Sequence, residues 1–137
     1  MRRGRTLIRP RVFLADDHLE FLKLEMAHLQ RHFELVGTAA DGTSVVSEVL
    51  RLKPDVVVVD ITMPKKTGID AVRELVQSGP TSKFIFLTVH SGEEYVAACL
   101  EEGAAGFVNK SQMKAHLIRT IYAVLYGVPY LATSTSV

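Results

Sequence analysis

Val56-Val57-Val58-Val59-Asp60-Ile61-Thr62-Met63-Pro64 is the stretch on which the fold turns. Four β-branched residues in succession are stiff at χ1 and favour extended backbone. They show none of the apolar–polar alternation of a strand with one wet face. This strand is therefore expected to be covered on both sides, as in a parallel sheet. Pro54 stops the segment before it, and an acid, Asp60, stands at the strand's carboxyl end.

Outward from this strand, strand-like and helix-like runs alternate. Upstream, Arg11-Val12-Phe13-Leu14-Ala15 is a short apolar run ending at an acidic pair, Asp16-Asp17. Over residues 18–33 the pattern turns helical, with Leu22, Met26, Leu29 and Phe33 as one stripe. Residues 34–39 read as a second strand, and Asp41-Gly42-Thr43 as a capping turn before a helix through Val45, Val46, Val49 and Leu50. Downstream, residues 69–77 predict a helix closed by Ser78-Gly79-Pro80, and residues 84–87 a fourth strand. A helix over 93–102 follows, with Gly103 in the left-handed stop position. Phe107-Val108 centres a short fifth strand, and residues 113–126 form a last helix ending at Gly127.

Such alternation specifies right-handed crossovers, and hence an α/β, doubly wound, five-stranded parallel sheet with helices on both faces. Ligands of such sheets sit at the carboxyl ends of the strands. The first strand there offers Asp16 and Asp17, the third Asp60, the fourth Thr88, and the fifth runs into Lys110. Three carboxylates and one ammonium leave a local charge of about two minus, which a divalent cation would neutralise. Hard oxygen donors without His or Cys favour Mg²⁺, Mn²⁺ or Ca²⁺ over Zn²⁺, and Mg²⁺ suits an open site with few carboxylates. A carboxylate nucleophile can form an acyl phosphate, a transfer that needs positioning and charge neutralisation above all.

Composition sets the outer bounds. The 137 residues suffice for one domain with a substantial core. At 47% hydrophobic, 23% charged and net charge +1, nothing points to disorder or to a field that would gather nucleic acid. No apolar run is long enough to span a bilayer, and a cytoplasmic location is expected. The single cysteine, Cys99, lies among apolar neighbours and reads as buried. Residues 1–10 hold an arginine cluster read as a flexible basic lead-in, residues 11–130 the domain, and residues 131–137 the start of a linker or tail.

Asp16-Asp17 after a strand, Asp60-Ile61-Thr62-Met63-Pro64 with Gly68 beyond, Leu87-Thr88, and Gly106-Phe107-Val108-Asn109-Lys110 resemble the receiver domain of two-component response regulators. The resemblance covers residues from about Arg11 to Tyr130, and four pieces in order make it specific. It implies a flavodoxin-like strand order 2-1-3-4-5, with Asp60 as phosphoacceptor. Asp17, Asp60 and the backbone carbonyl of Thr62 would bind Mg²⁺, with Asp16 acting mainly through water. Thr88 and Lys110 would hold the phosphoryl oxygens, and Phe107 would be the aromatic that changes rotamer. A sensor histidine kinase would be the donor, and the face built by the fourth strand, fourth helix and fifth strand would carry the signal. The implied protein is a switch rather than an enzyme acting on other substrates.

Leu87-Thr88-Val89-His90, Glu93-Glu94-Tyr95-Val96 and Lys110-Ser111 are closest to the LuxR/NarL-like transcription regulators. DNA would then be reached only through a helix-turn-helix domain beyond Val137 in a longer regulator, or through a partner's output if the receiver stands alone, with no nucleic-acid contact from this chain and none with a membrane. Ser111 stands where many receivers have a proline in a cis peptide, so no cis bond is expected there. Val89, bulkier than the residue usual after the threonine, and Asn109, beside the lysine, depart from the common pattern.

Plainer readings compete. Asp16-Asp17 alone would be a helix-capping pair, and Phe107 alone a core residue. His28 and His32 stand one turn apart without a third ligand and read as surface histidines. The last helix is more apolar than one core face requires, which leaves a partner or homodimer contact beside an ordinary core role. An aspartyl phosphatase would want a second Asp where Thr62 stands. A flavodoxin-type cofactor site would want a phosphate-cradling loop where Asp16-Asp17 stand. The complete acidic set argues against an interaction module that is never phosphorylated, while Val89 and Asn109 keep that reading open.

Overall fold

The computed structural model describes residues 9–89, 93–127 and 130–132. Its centre is β3 (Val56–Val59), every residue of which is fully buried. Around it the chain runs β1 (Arg11–Ala15), α1 (Leu19–Leu29), β2 (Glu34–Ala39) and α2 (Gly42–Leu52) before β3, and α3 (Gly68–Ser78) and β4 (Lys83–Thr88) after it. Then come α4 (Glu93–Glu101), β5 (Gly106–Asn109), a 3₁₀ turn (Lys110–Gln112), α5 (Met113–Leu125) and β6 (Tyr130–Ala132). All pairings are parallel, in the order β2-β1-β3-β4-β5-β6. The expected order 2-1-3-4-5 is present. Beyond it the chain adds a short sixth strand, in register Gly106 to Tyr130, at the edge of β5. Residues 1–8 of the basic lead-in and residues 133–137 of the tail lie outside the described residues. Arg9 and Pro10 are tied to the domain, with Arg9 Nη1 donating to the Gln30 carbonyl at 2.6 Å and the Pro10 carbonyl accepting from Glu34 N at 2.8 Å.

Strand geometry sends successive side chains to opposite faces, and the valines of β3 divide accordingly. Val57 and Val59 join Phe13, Phe84, Phe86 and Phe107 in the core beneath α2, α3 and α4. Val56 and Val58 join Val12, Leu14, Ile85 and Leu87 in the core beneath α1 and α5. A strand buried on both faces is what an unalternating valine run requires.

Local chemistry places the helix ends. Asp41 caps α2 by accepting from Ser44 N at 2.8 Å, and Thr67 caps α3 through its hydroxyl at 3.1 Å from Asp70 N. Gly79 ends α3 at φ +84° and Gly103 follows α4 at φ +109°, both in the left-handed region glycine tolerates. Cys99 is fully buried, and burial pushes its thiol up to about 11, so it packs rather than reacts.

The first helix departs from the expected stripe. Leu22 and Leu29 are buried, but Met26 is 36% exposed and Glu25 is buried instead. Phe33 is buried beyond the end of α1, tilted against Tyr122 with ring centroids 5.1 Å apart. Ending α1 at Leu29 lets Phe33 reach α5 from the following turn, so it is not part of the helical face. On α5, Leu117, Ile121 and Val124 are core, Ile118, Tyr122 and Leu125 are partly buried, and Tyr126 is exposed. The helix packs its apolar side on β4, β5 and β6, and Tyr122 also meets Phe33.

Candidate phosphoacceptor site

β1 and β3 are neighbours in register, with Ala15 opposite Val59, so the residues after them meet side by side. The Asp60 N–H donates to the Ala15 carbonyl at 2.9 Å and the Asp16 N–H to the Ala39 carbonyl at 3.0 Å, which extends the ladders to the acids themselves. Asp16 is 1% exposed and Asp60 7%, while Asp17 is exposed. One carboxylate oxygen from each lies within 4.8 Å of the others.

Lys110 closes the cluster from the end of β5. Its Nζ lies 2.7 Å from Asp16 Oδ2 and 3.2 Å from Asp60 Oδ2, and 4.6 Å from the centroid of the Phe21 ring. One ammonium thus bridges two buried carboxylates and rests on an aromatic face. Burial works to lower Lys110, but its hydrogen bond to Asp16 and the charges of Asp60 and Asp16 outweigh that and raise it above the ordinary range. Asp60 is raised by burial; Lys110 pulls it down, Asp16 pushes it up, and the Thr62 amide hydrogen bond lowers it.

Asp16 Oδ1 also accepts from the His18 amide at 2.8 Å. With its other oxygen on Lys110, Asp16 is the most fully engaged of the three acids. Asp17 is the exposed member of the cluster. Thr88 is fully buried at the end of β4, opposite Asn109 in the register, and Phe107 is 1% exposed opposite Phe86. The side chain of Asn109 accepts from Ser111 N at 2.9 Å and its amide donates to the Val89 carbonyl at 3.4 Å. It therefore caps the 3₁₀ turn and ties the end of β5 to the end of β4. Val89 is 69% exposed.

Two glycines set the loop after β3. A β-carbon on Gly68 would stand 2.0 Å from the Asp60 carbonyl oxygen, and one on Gly42 would stand 1.9 Å from that of Lys66. The Gly68 N–H donates to the Ile61 carbonyl at 2.7 Å. The loop is folded down onto the starts of α2 and α3, and only glycine allows that approach.

All the acidic and basic residues singled out from the sequence converge here. Thr88 and Phe107 lie on the adjoining strands, and Thr62 touches Asp60 through its amide. Phe21 and Glu25 were not anticipated. The signal was available in their spacing, since Phe21, Glu25 and Leu29 recur every four residues along one helical face.

Three hard oxygen donors this close, offset by one lysine, fit a divalent cation. The sequence profile described as the response regulator receiver domain matches residues 12–122. The chain belongs to that family: it is a receiver domain of two-component response regulators, the phosphorylation-dependent switches of those systems. Receiver domains hold Mg²⁺ at an acidic pocket, and Asp16, Asp17 and Asp60 form such a cluster here.

Among its relatives, the chain is 34% identical over 122 residues to the transcriptional regulatory protein DegU of Brevibacillus brevis, covering 88% of this chain and 52% of that one. It is 32% identical over 124 residues to the oxygen regulatory protein NreC of Staphylococcus carnosus (strain TM300), covering 88% and 57%. The chain thus spans about half the length of these curated relatives. A two-component response regulator of the LuxR family from Aurantimonas sp. SI85-9A1 superposes with a TM-score of 0.86 at 30% identity, covering 92% of this chain and 91% of that one. The signal receiver domain of the response regulator NarL from Mycobacterium tuberculosis shares the fold, with a TM-score of 0.83 at 24% identity over 88% of this chain and 98% of that one. No helix among the described residues is long and apolar enough to cross a membrane.

Proposed function

We propose that Asp60 is the phosphoacceptor of this receiver and that its acyl phosphate is the switching signal. The observation that carries the reading is the bridge of Lys110 between Asp16 and Asp60, at 2.7 and 3.2 Å, inside a cluster of three carboxylates. Asp17, Asp60 and the Thr62 carbonyl would hold Mg²⁺, and Asp16 would act through water, in keeping with its two existing hydrogen bonds. Bound there, the ion supplies positive charge for the phosphoryl oxygens.

The protein's own groups do the rest. Asp60 attacks phosphorus through a carboxylate oxygen as the P–N bond to the kinase's phosphohistidine breaks and the imidazole nitrogen leaves with the bonding pair. Lys110 moves from carboxylate to phosphoryl oxygen, a short path for a side chain that already touches Asp60. The Thr88 hydroxyl, at the end of β4, donates to another. Phe107, on the strand beside it, reports the change to the face built by β4, α4 and β5. The donor is a sensor histidine kinase, and the setting is cytoplasmic.

By analogy with the LuxR-family relatives, the output of the parent protein is a helix-turn-helix domain beyond this segment, engaged through dimerisation. The protein itself is a switch rather than a turnover enzyme. The test is incubation with acetyl phosphate and Mg²⁺. Wild type gains one acid-stable, base-labile phosphate and Asp60→Asn gains none; equal labelling of the two removes Asp60 from the role.

A further inference from the structure

Glu25 is 1% exposed on α1, and its Oε1 has no hydrogen-bond partner among the described residues. The charged groups that act on it are Asp16, Lys110 and Asp60, all from the site. One turn earlier on the same face, the Phe21 ring lies 4.6 Å from Lys110 Nζ, so this side of α1 runs along the lysine. Burial, then Asp16, hold the Glu25 carboxyl well above its ordinary range, with Lys110 opposing and Asp60 adding to the rise. A buried polar atom without a partner costs stability. An apolar side chain at this buried position would not carry that cost. Packing alone therefore does not account for a carboxyl at this position.

We propose that Glu25 is a positioning residue of the phosphoacceptor site, a second anchor to which the Lys110 ammonium turns when a divalent cation takes the Asp16 and Asp60 carboxylates. The proposal rests on the reading of those acids as the cation's site. An ammonium has three donors, and Asp16 and Asp60 engage two of them. A cation arriving on the same oxygens competes with Lys110 and repels it. Glu25 is a buried acceptor with an unpartnered oxygen, one turn beyond the Phe21 that rests on the lysine. Its carbonyl oxygen accepts from an ammonium whether the carboxyl is neutral or ionised. It thus eases entry of the cation and keeps Lys110 within reach of Asp60.

The test is Mg²⁺ titration of the full chain, followed by calorimetry and by the NMR signal of the Lys110 side chain, for wild type, E25Q, E25L and D60N. Glu25→Leu is expected to bind Mg²⁺ about three- to tenfold more weakly, while Glu25→Gln, which keeps an acceptor, stays within about twofold of wild type. Without Mg²⁺ the melting temperature of E25L rises, the opposite direction to its affinity, which a purely structural role would not produce. The Lys110 signal in wild type decides independently of any variant, since no shift on adding Mg²⁺ overturns the proposal. If E25L binds as tightly as wild type while D60N loses binding, Glu25 has no such role and the reading of the acidic site stands. Wild type and D60N binding alike would overturn both.

Discussion

Gly68 lies directly beneath Asp60: a β-carbon on the glycine would stand 2.0 Å from the Asp60 carbonyl oxygen and 3.0 Å from the Ile61 α-carbon. Both neighbours are backbone, so neither can move aside cheaply. Gly68→Ala is expected to destabilise the fold by about 1–3 kcal/mol through overpacking. It also displaces Asp60, so phosphorylation falls by more than the loss of stability explains. Urea denaturation and acetyl phosphate labelling measured together check both.

Asp60 bears on stability through pH. Its folded carboxyl is raised, mainly by burial, above the value it has in the unfolded chain. Between those two values the folded state holds more protons, so stability falls as pH rises through that window. Asp60→Asn, which carries no such charge, is expected to melt higher than wild type at pH 7 without Mg²⁺. The advantage shrinks as pH falls through and below the ordinary Asp range of about 3.9. Melting curves from pH 3 to 8 show whether the two converge at the acid end.

Cation binding should reverse that ranking. A ligand bound only by the folded state stabilises it by about 2.7 kcal/mol at one hundred times its Kd. Mg²⁺ is expected to raise the melting temperature of wild type, and EDTA to restore the original value. Asp17→Asn, at the exposed member of the cluster, should lose most of the response with little change in basal stability. A response equal to wild type would take Asp17 out of the cation site.

Lys65 offers a test away from the charges. It sits in the loop after β3 at φ +71°, a conformation that costs a non-glycine residue about 1–2 kcal/mol. Lys65→Gly relieves this and gives back part of the gain as unfolded-chain entropy, for a net stabilisation of up to about 1 kcal/mol. Chemical denaturation measures it, and an unchanged or lower midpoint would show that the Lys65–Asp41 pair at 3.9 Å matters more than the strain.

What could be read in advance follows from the range of the forces. Val56-Val57-Val58-Val59 cannot form a strand with a wet face, and its neighbours alternate in period, so the layered parallel sheet was legible residue by residue. Asp16, Asp17, Asp60 and Lys110 were legible as a site because parallel strands place their carboxyl ends together. The turn glycines were legible only as turns, since nothing local reveals that Gly42 and Gly68 press on carbonyls of another segment.

The first helix and the last strand mark the limit of what local pattern reveals. Helical periodicity allowed Met26 as readily as Glu25 on the inner face, and hydrophobicity favoured Met26. The structure chose the opposite, because the angle at which α1 lies over the sheet, with α5 beside it, decides which side chain is covered. β6 is likewise set by its pairing with β5 and not by any strong pattern in Tyr130–Ala132. Periodicity and turn chemistry are local, so the order of the first five strands and their helices, with the acids and lysine at the strand ends, could be read from the residues alone. Folding was needed to show that Lys110 bridges Asp16 and Asp60, that Gly42 and Gly68 admit the close approach of the loop, and that the Glu25 carboxyl is buried on the helix alongside. Those contacts join residues distant along the chain, and only packing brings them together.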